Sequence, residues 1–376
     1  MGRFKPTTFT HDFEFPVHGI AFTEDDRILA TGGDGINTMG TSNKLMLLSV
    51  DEKNKALVEQ VLLSLSPEDA CPMSIACHPK MDIVAVGVNK SIDKGENTNC
   101  QLFKLEESRI VATEAVCTNT NKSADEYQKV TRFSPRGNYL VSGSTDGKIS
   151  VLRVPGLSLA FPTLRFNSLH DADIDEAEEY VAVATTSAVL ILSMRDGSIV
   201  QAIDSPQFNG IQCEFRACRF SGTSPSNKTL YAIVNPIARG KGFVCAWKMR
   251  PSDHRFSVTK VQAESVSRTS ITNFTINDQG NLLAYTSSDF TTGIVDAKTL
   301  RPIVRIRPSH GSAITSLCFN RSGRLLASAS TDRSCRVVVI PDNINLGFDY
   351  RTPLEVVLCM VMFALFMHIL VQMAAQ

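Results

Sequence analysis

A nineteen-residue unit occurs twice in this chain, and its grammar constrains the fold more than any other feature. One copy reads Phe133-Ser-Pro-Arg-Gly-Asn-Tyr-Leu140-Val-Ser-Gly-Ser-Thr-Asp146-Gly-Lys-Ile149-Ser-Val151. The other reads Phe319-Asn-Arg-Ser-Gly-Arg-Leu-Leu326-Ala-Ser-Ala-Ser-Thr-Asp332-Arg-Ser-Cys335-Arg-Val337. Each begins at the aromatic that ends one strand, crosses a polar turn containing glycine, and runs through a second strand of apolar and small residues. A turn at Ser-Thr-Asp then leads into a third, alternating strand. Hairpins in that order are the grammar of a four-stranded propeller blade.

Fainter copies follow when the residue ending each first strand is taken as an anchor: Phe22, Cys77, Phe133, Ile174, Phe220, Ile276 and Phe319. In six of the seven, the position seven residues later is aliphatic; after Phe220 a longer turn precedes Leu230. The anchor spacings are 55, 56, 41, 46, 56 and 43. A bare WD-type repeat runs about 40–45 residues, so the three long intervals call for loop insertions. Kelch repeats run near 50, but their paired glycines do not recur here. The count is seven blades, with six and eight as the alternatives. Beyond Phe319 only two more strands remain, Leu325–Ser330 and Cys335–Ile340, which leaves the last blade one strand short. Residues 8–15 alternate, with Phe9, Phe13 and Phe15 on one side, and supply the missing strand. Pairing the two satisfies both open edges and closes the ring. The reading is an all-β, seven-bladed WD-type β-propeller over residues 5–342.

Composition agrees with a packed core: 43% of residues are hydrophobic and 20% charged. The 38 basic residues equal the 38 acidic ones, so there is no general pull toward nucleic acid, and none is expected as a partner. Ten cysteines are scattered from Cys71 to Cys359 without a Cys-x-x-Cys pair, and several replace apolar residues in strand-like runs. They read as reduced, buried thiols, and the seven histidines show no metal-ligand spacing. Asp146 and Asp332 invite a catalytic reading, as does His310, but an Asp in this turn ordinarily bonds backbone amides and a histidine of the preceding loop. The stretch Asp171-Ala-Asp-Ile-Asp-Glu-Ala-Glu-Glu179 lacks the glycine and the final glutamate of a calcium loop and reads as a solvated turn around the end of a strand, with an acidic partner patch as the alternative. Phosphate-loop and nucleophile-elbow patterns are both absent from the sequence, so no enzyme activity involving covalent chemistry is expected.

The two ends of the chain differ. Met1-Gly-Arg-Phe-Lys-Pro6 has no apolar run of a signal peptide, and Pro6 stands where myristoylation wants Ser or Thr. Residues 353–375 are almost wholly apolar. As a helix they would extend about 34 Å, enough for a hydrocarbon core of about 30 Å. The expectation is a linker over 343–352, a C-terminal transmembrane helix over 353–375, and a cytosolic propeller tethered by its tail.

One segment departs from the repeat. After the second strand of blade 1 comes Ala30-Thr31-Gly32-Gly33-Asp34-Gly35-Ile36-Asn37-Thr38-Met39-Gly40-Thr41-Ser42-Asn43-Lys44-Leu45, where a two- to five-residue turn would suffice. Its glycines allow backbone turns that aim several carbonyl oxygens at one point, a site for a hard monovalent cation. A loop with no ligand is the alternative.

This segment resembles the potassium-binding loop of the endoplasmic-reticulum guanine-nucleotide exchange factors that activate the COPII small GTPase, the Sec-twelve and prolactin-regulatory-element-binding family. In that family a glycine run in blade 1 is followed by Gly-Ile-x-Asn. Here the run is Gly32, Gly33, Asp34 and Gly35, and the second element is Gly40-Thr41-Ser42-Asn43, with Asp34 replacing a glycine and Thr41 an isoleucine. The layout of degenerate propeller, loop in blade 1 and C-terminal apolar helix is shared as well. The resemblance implies a potassium ion held by Gly33, Asp34, Gly35 and Gly40, mainly through carbonyls. It implies a GTPase contact at Thr41, Ser42 and Asn43, with the Asn43 amide presented to the partner as the residue that drives exchange. It further implies an endoplasmic-reticulum membrane location, or the Golgi membrane beside it. A membrane-tethered trafficking propeller of the same family without exchange activity is the alternative.

Overall fold

The computed structural model describes residues 6–34, 42–90, 96–120, 126–221, 228–252 and 255–341, with only the backbone described within 250–262. Their strands form seven antiparallel sheets. The first strands of the seven sheets are Val17–Phe22, Ser74–Cys77, Gln128–Phe133, Asp171–Ile174, Ile211–Ser221, Ile271–Ile276 and Ile314–Phe319. Each touches the next in that order, and the last touches the first, so they are the innermost strands of a closed seven-bladed ring.

Local pattern set the strand ends. Phe22, Cys77, Phe133, Ile174, Ile276 and Phe319 each end an innermost strand, and Phe220 comes one residue before the end of its own. Five anchors pair directly with the aliphatic residue seven positions on: Cys77 with Val84, Phe133 with Leu140, Ile174 with Val181, Ile276 with Leu283 and Phe319 with Leu326. Phe22 pairs with Ile28 across a turn one residue tighter, and Phe220 with Leu230 across the longer one.

Ring closure follows the same logic. Strand Thr7–Asp12 lies antiparallel on Ser334–Val339, with Thr7 opposite Val339 and Asp12 opposite Ser334. Beyond it the Phe13 amide donates to the Arg333 carbonyl at 2.7 Å. Phe9, Phe13 and Phe15 are buried in one apolar cluster with Ile20, Ile28 and Met46 of blade 1 and Ala327 and Val337 of blade 7. The last blade is therefore a composite of both ends of the propeller.

Two expectations need correction. The long interval from Phe220 to Ile276 does not rest on a loop insertion alone, because blade 5 has long strands: Lys228–Pro236, Phe243–Ser252 and Arg255–Ser265 hold 9, 10 and 11 residues. The acidic stretch is a solvated turn only in its second half, where Glu176 and Glu179 are exposed. Asp171, Asp173 and Asp175 are buried. Arg219 pairs with Asp171, Arg132 lies 3.5 Å from Asp173, and Lys228 Nζ lies 2.5 Å from Asp175. Those cations come from neighbouring blades, 41 to 53 residues away, so local sequence could not pair them.

The described part belongs to one compact unit ending at Asp342. Among the described residues no helix is long and apolar enough to cross a membrane. The linker at 343–352 and the apolar run at 353–375 lie outside the described residues.

Candidate functional site

The turn aspartates come first, because they mark which polar residues are scaffold. Asp332 accepts from the Gly311 amide at 2.6 Å and the Ser334 amide at 3.0 Å, and lies 3.5 Å from His310 Nδ1. His310 in turn reaches the hydroxyls of Ser334 and Ser328, both at 2.8 Å. Asp146 accepts from the Lys148 amide at 3.2 Å and pairs with its ammonium at 3.0 Å. Each aspartate thus pins a turn of its own blade.

The blade 1 loop leaves the sheet through two glycines that no other residue could replace. A side-chain carbon at Gly32 would fall 1.9 Å from the Pro16 carbonyl oxygen. At Gly33, where φ is 145°, it would fall 2.3 Å from Asn43 Oδ1. The loop therefore starts with its two feet in van der Waals contact. The Gly33 amide donates to Pro16 at 3.1 Å. Its carbonyl faces His18 Nε2 at 3.3 Å and the Cys71 thiol at 3.4 Å. Burial holds the His18 imidazole below its ordinary pKa, so near pH 7 the ring is neutral and its Nε2–H donates to Gly33.

The other foot is Asn43. Its side chain is not presented to solvent, as the sequence reading expects, but buried, with the residue 2% exposed. The amide nitrogen donates to the Asp69 carbonyl at 2.8 Å, and the Asn43 carbonyl accepts from the Leu65 amide at 2.8 Å. The Asp69 carboxylate, itself buried, takes the Lys90 ammonium at 2.6 Å. Lys90 begins the corresponding loop of blade 2, where its amide donates to Asn97 at 2.9 Å and Asn89 reaches the Glu126 carbonyl at 2.7 Å. The foot of the blade 1 loop is thereby tied through Asp69 to blade 2 and on toward blade 3. Asp69, Lys90, His18 and Cys71 were not among the expected site residues. They carry no local motif: the blade 1 hairpin brings His18 to the loop, and the packing of blade 2 on blade 1 brings the other three.

Of the remaining expected residues, Ser42 is exposed beside Asn43, and Asp34 is half-buried beside Gly33. Gly35, Gly40 and Thr41 lie outside the described residues. Backbone carbonyls with one carboxylate suit a hard monovalent cation by their chemistry. Gly33 suits it least, because two donors already approach its oxygen.

The pattern of the WD domain, G-beta repeat family matches residues 122–151 and 301–338, the segments holding the two best-formed repeats. SEC12-like protein 2 of Arabidopsis thaliana is 22% identical over 317 residues, 80% of this chain and 73% of that protein. The guanine nucleotide-exchange factor SEC12 of Candida glabrata is 23% identical over 338 residues, 88% of this chain and 71% of that protein. The guanine nucleotide-exchange factor SEC12 of Rattus norvegicus is 20% identical over 361 residues, covering 81% of each. Over most of its length the chain resembles this group.

Proposed function

We propose that this chain is a guanine-nucleotide exchange factor of the SEC12 type, acting on the small GTPase that begins COPII coat assembly. The similarity to an exchange factor over 88% of the chain carries the reading. The firmly footed blade 1 loop is what the structure adds to it. Residues 353–375 would be the membrane anchor, with the propeller on the cytosolic side of the endoplasmic reticulum or the adjoining Golgi membrane.

Exchange of this kind makes and breaks no covalent bond. The factor binds the nucleotide-free GTPase more tightly than the GDP-bound form, and by linkage GDP affinity falls by the same factor. Feet that are already fixed lose little freedom on docking, so more of the contact energy goes into that difference. Thr41 and Ser42 make the contact in this reading, and Asn43 acts as a positioning residue beneath them.

The test uses the full chain in detergent with a COPII GTPase carrying labelled GDP. Rapid release is the expected result. Docking without release would mark the non-exchanging relative instead, and no docking would sink both readings.

Asn43→Ala is expected to slow release by ten- to a hundredfold. It should also lower stability by about 1–3 kcal/mol, because a buried amide bond is lost. Release normalised to folded protein separates the two effects: an unchanged normalised rate would leave Asn43 a purely structural residue.

Potassium belongs to the proposal, held by Asp34, Gly35 and Gly40 with at most a share of the Gly33 carbonyl. When bound it would offset the repulsion between converging oxygens. Exchange should slow when potassium gives way to a bulky organic cation at matched ionic strength, and equal rates in the two salts would remove the ion from the mechanism.

A further inference from the structure

Five of the seven innermost strands carry a one-residue bulge at the same register. The pairing slips between Val17 and Gly19, Gln128 and Val130, Phe215 and Ala217, Ile271 and Asn273, and Ile314 and Ser316. The extra residues are His18, Lys129, Arg216, Thr272 and Thr315. In blade 4 the equivalent position is His170, whose amide donates to Ala184 just before Asp171 pairs with that residue. In blade 2 it is Met73, placed in the same way against Gly87. A bulge re-aims the residue it adds. The ring of seven lies at the loop-bearing end of the channel, because its blade 1 member, His18, reaches Gly33.

Basic groups gather on one side of this ring. Arg216 Nη1 lies 3.5 Å from His170 Nδ1, and Arg216 Nε donates to the Thr272 carbonyl of blade 6 at 3.4 Å. His170 Nε2 lies 3.0 Å from the Thr186 hydroxyl. Lys129, half-buried on the adjacent blade 3, makes no hydrogen bond or ion pair with any described residue. Burial and the nearby Arg216 push its pKa down, and the Asp171 carboxylate offsets this only in part. Burial, then Lys129 and Arg216, push His170 down to about 4 against the opposing pull of the Asp171 carboxylate, so the imidazole is neutral.

Charge counting sets the ligand class. One layer deeper, Arg132 and Arg219 face the carboxylates of Asp171 and Asp173, two against two. Lys129 and the exposed Arg216 are left over, two cations with no ion pair among the described residues, Lys129 feeling the Asp171 carboxylate only at longer range. We propose that Lys129, Arg216 and His170 form a binding site for a phosphate-class dianion at the loop-bearing end of the channel. Arg216 supplies a planar fork, Lys129 a point charge, and the neutral imidazole a polar contact. Phosphate carries about 1.5–2 negative charges near pH 7, which matches the surplus. The site does not depend on the exchange reading.

The full chain in uncharged detergent at pH 7.5 is titrated with inorganic phosphate, glycerol 3-phosphate and acetate at matched ionic strength, with calorimetry and melting temperature as readouts. Phosphate or the phosphate monoester should bind and raise the melting temperature, and acetate should bind at least tenfold more weakly. Binding of phosphate itself points to a free anion; binding of the ester alone points to phosphate presented on a larger molecule. Lys129→Met and Arg216→Ala should each weaken binding by about tenfold or more, the loss expected for a charged hydrogen bond. Without ligand, Lys129→Met should melt higher than the parent, because a partly desolvated cation without a partner is removed. A lysine present only for packing would give the opposite shift. The site is overturned if neither phosphate probe binds, if acetate binds as well, or if the double variant binds like the parent.

Discussion

Deleting residues 1–15 is expected to abolish the monomeric fold. The deletion removes the six-residue strand Thr7–Asp12 from the outer edge of the last blade and takes Phe9, Phe13 and Phe15 out of the cluster joining blades 7 and 1. Each phenylalanine contributes about 1.5–3 kcal/mol by burial. Together they approach the whole stability of an ordinary domain, about 5–15 kcal/mol. The strand Ser334–Val339 would also be left as an open edge, with unpaired amides and carbonyls available to another chain. Circular dichroism on heating and light scattering report the two consequences, a lost or much lower transition and a mass above that of the monomer. A deletion variant that melts like the parent and stays monomeric would show that the ring does not need this strand.

Lys228→Met should be strongly destabilising for a single substitution that preserves side-chain volume. The Lys228 side chain is 5% exposed, with its ammonium 2.5 Å from Asp175 and 3.2 Å from Glu179, and 4.9 Å from the centre of the Tyr180 ring. Asp175 also accepts from the amides of Glu179 and Tyr180, at 2.8 and 2.7 Å, so the turn that opens the second strand of blade 4 is built around it. Methionine fills the volume but strands a carboxylate that is 1% exposed. Leaving one member of a buried pair costs about 3–5 kcal/mol, whereas removing both charges is often close to neutral. Adding Asp175→Asn to Lys228→Met should therefore recover most of the loss, since an asparagine oxygen can still accept from the two amides. Denaturant unfolding of the two variants measures both quantities. Equal stability of the single variant and the parent would mean that Asp175 is adequately solvated without its lysine.

The loop and the channel mouth differ in what sequence alone can say about them. Gly32 and Gly33 stand out in the sequence because they interrupt a strand pattern, and the structure gives each a close contact that forbids a side chain. Asn43 stands out through the resemblance, which implied an amide presented to a partner. It went inward because the Asp69 carbonyl, 26 residues further on, needs a donor there. Lys129, His170 and Arg216 show no pattern at all. A one-residue bulge leaves no mark on apolar periodicity, and three bases 41 and 46 residues apart become neighbours only when three blades lie side by side.

By itself the sequence determined most strand ends, favoured seven blades over six or eight, and located the N-terminal segment whose strand Thr7–Asp12 closes the ring. Alternation, turn residues and the fixed offset between paired strands act within a hairpin, where the interacting groups are close along the chain. The tertiary structure alone decided which charges are paired and which are left over. Asp171, Asp173 and Asp175 find their cations across blade boundaries, while Lys129 and Arg216 form no ion pair among the described residues. The reason is that the partner of a charge is set by distance in space and by the dielectric around it, and neither exists until the ring has closed.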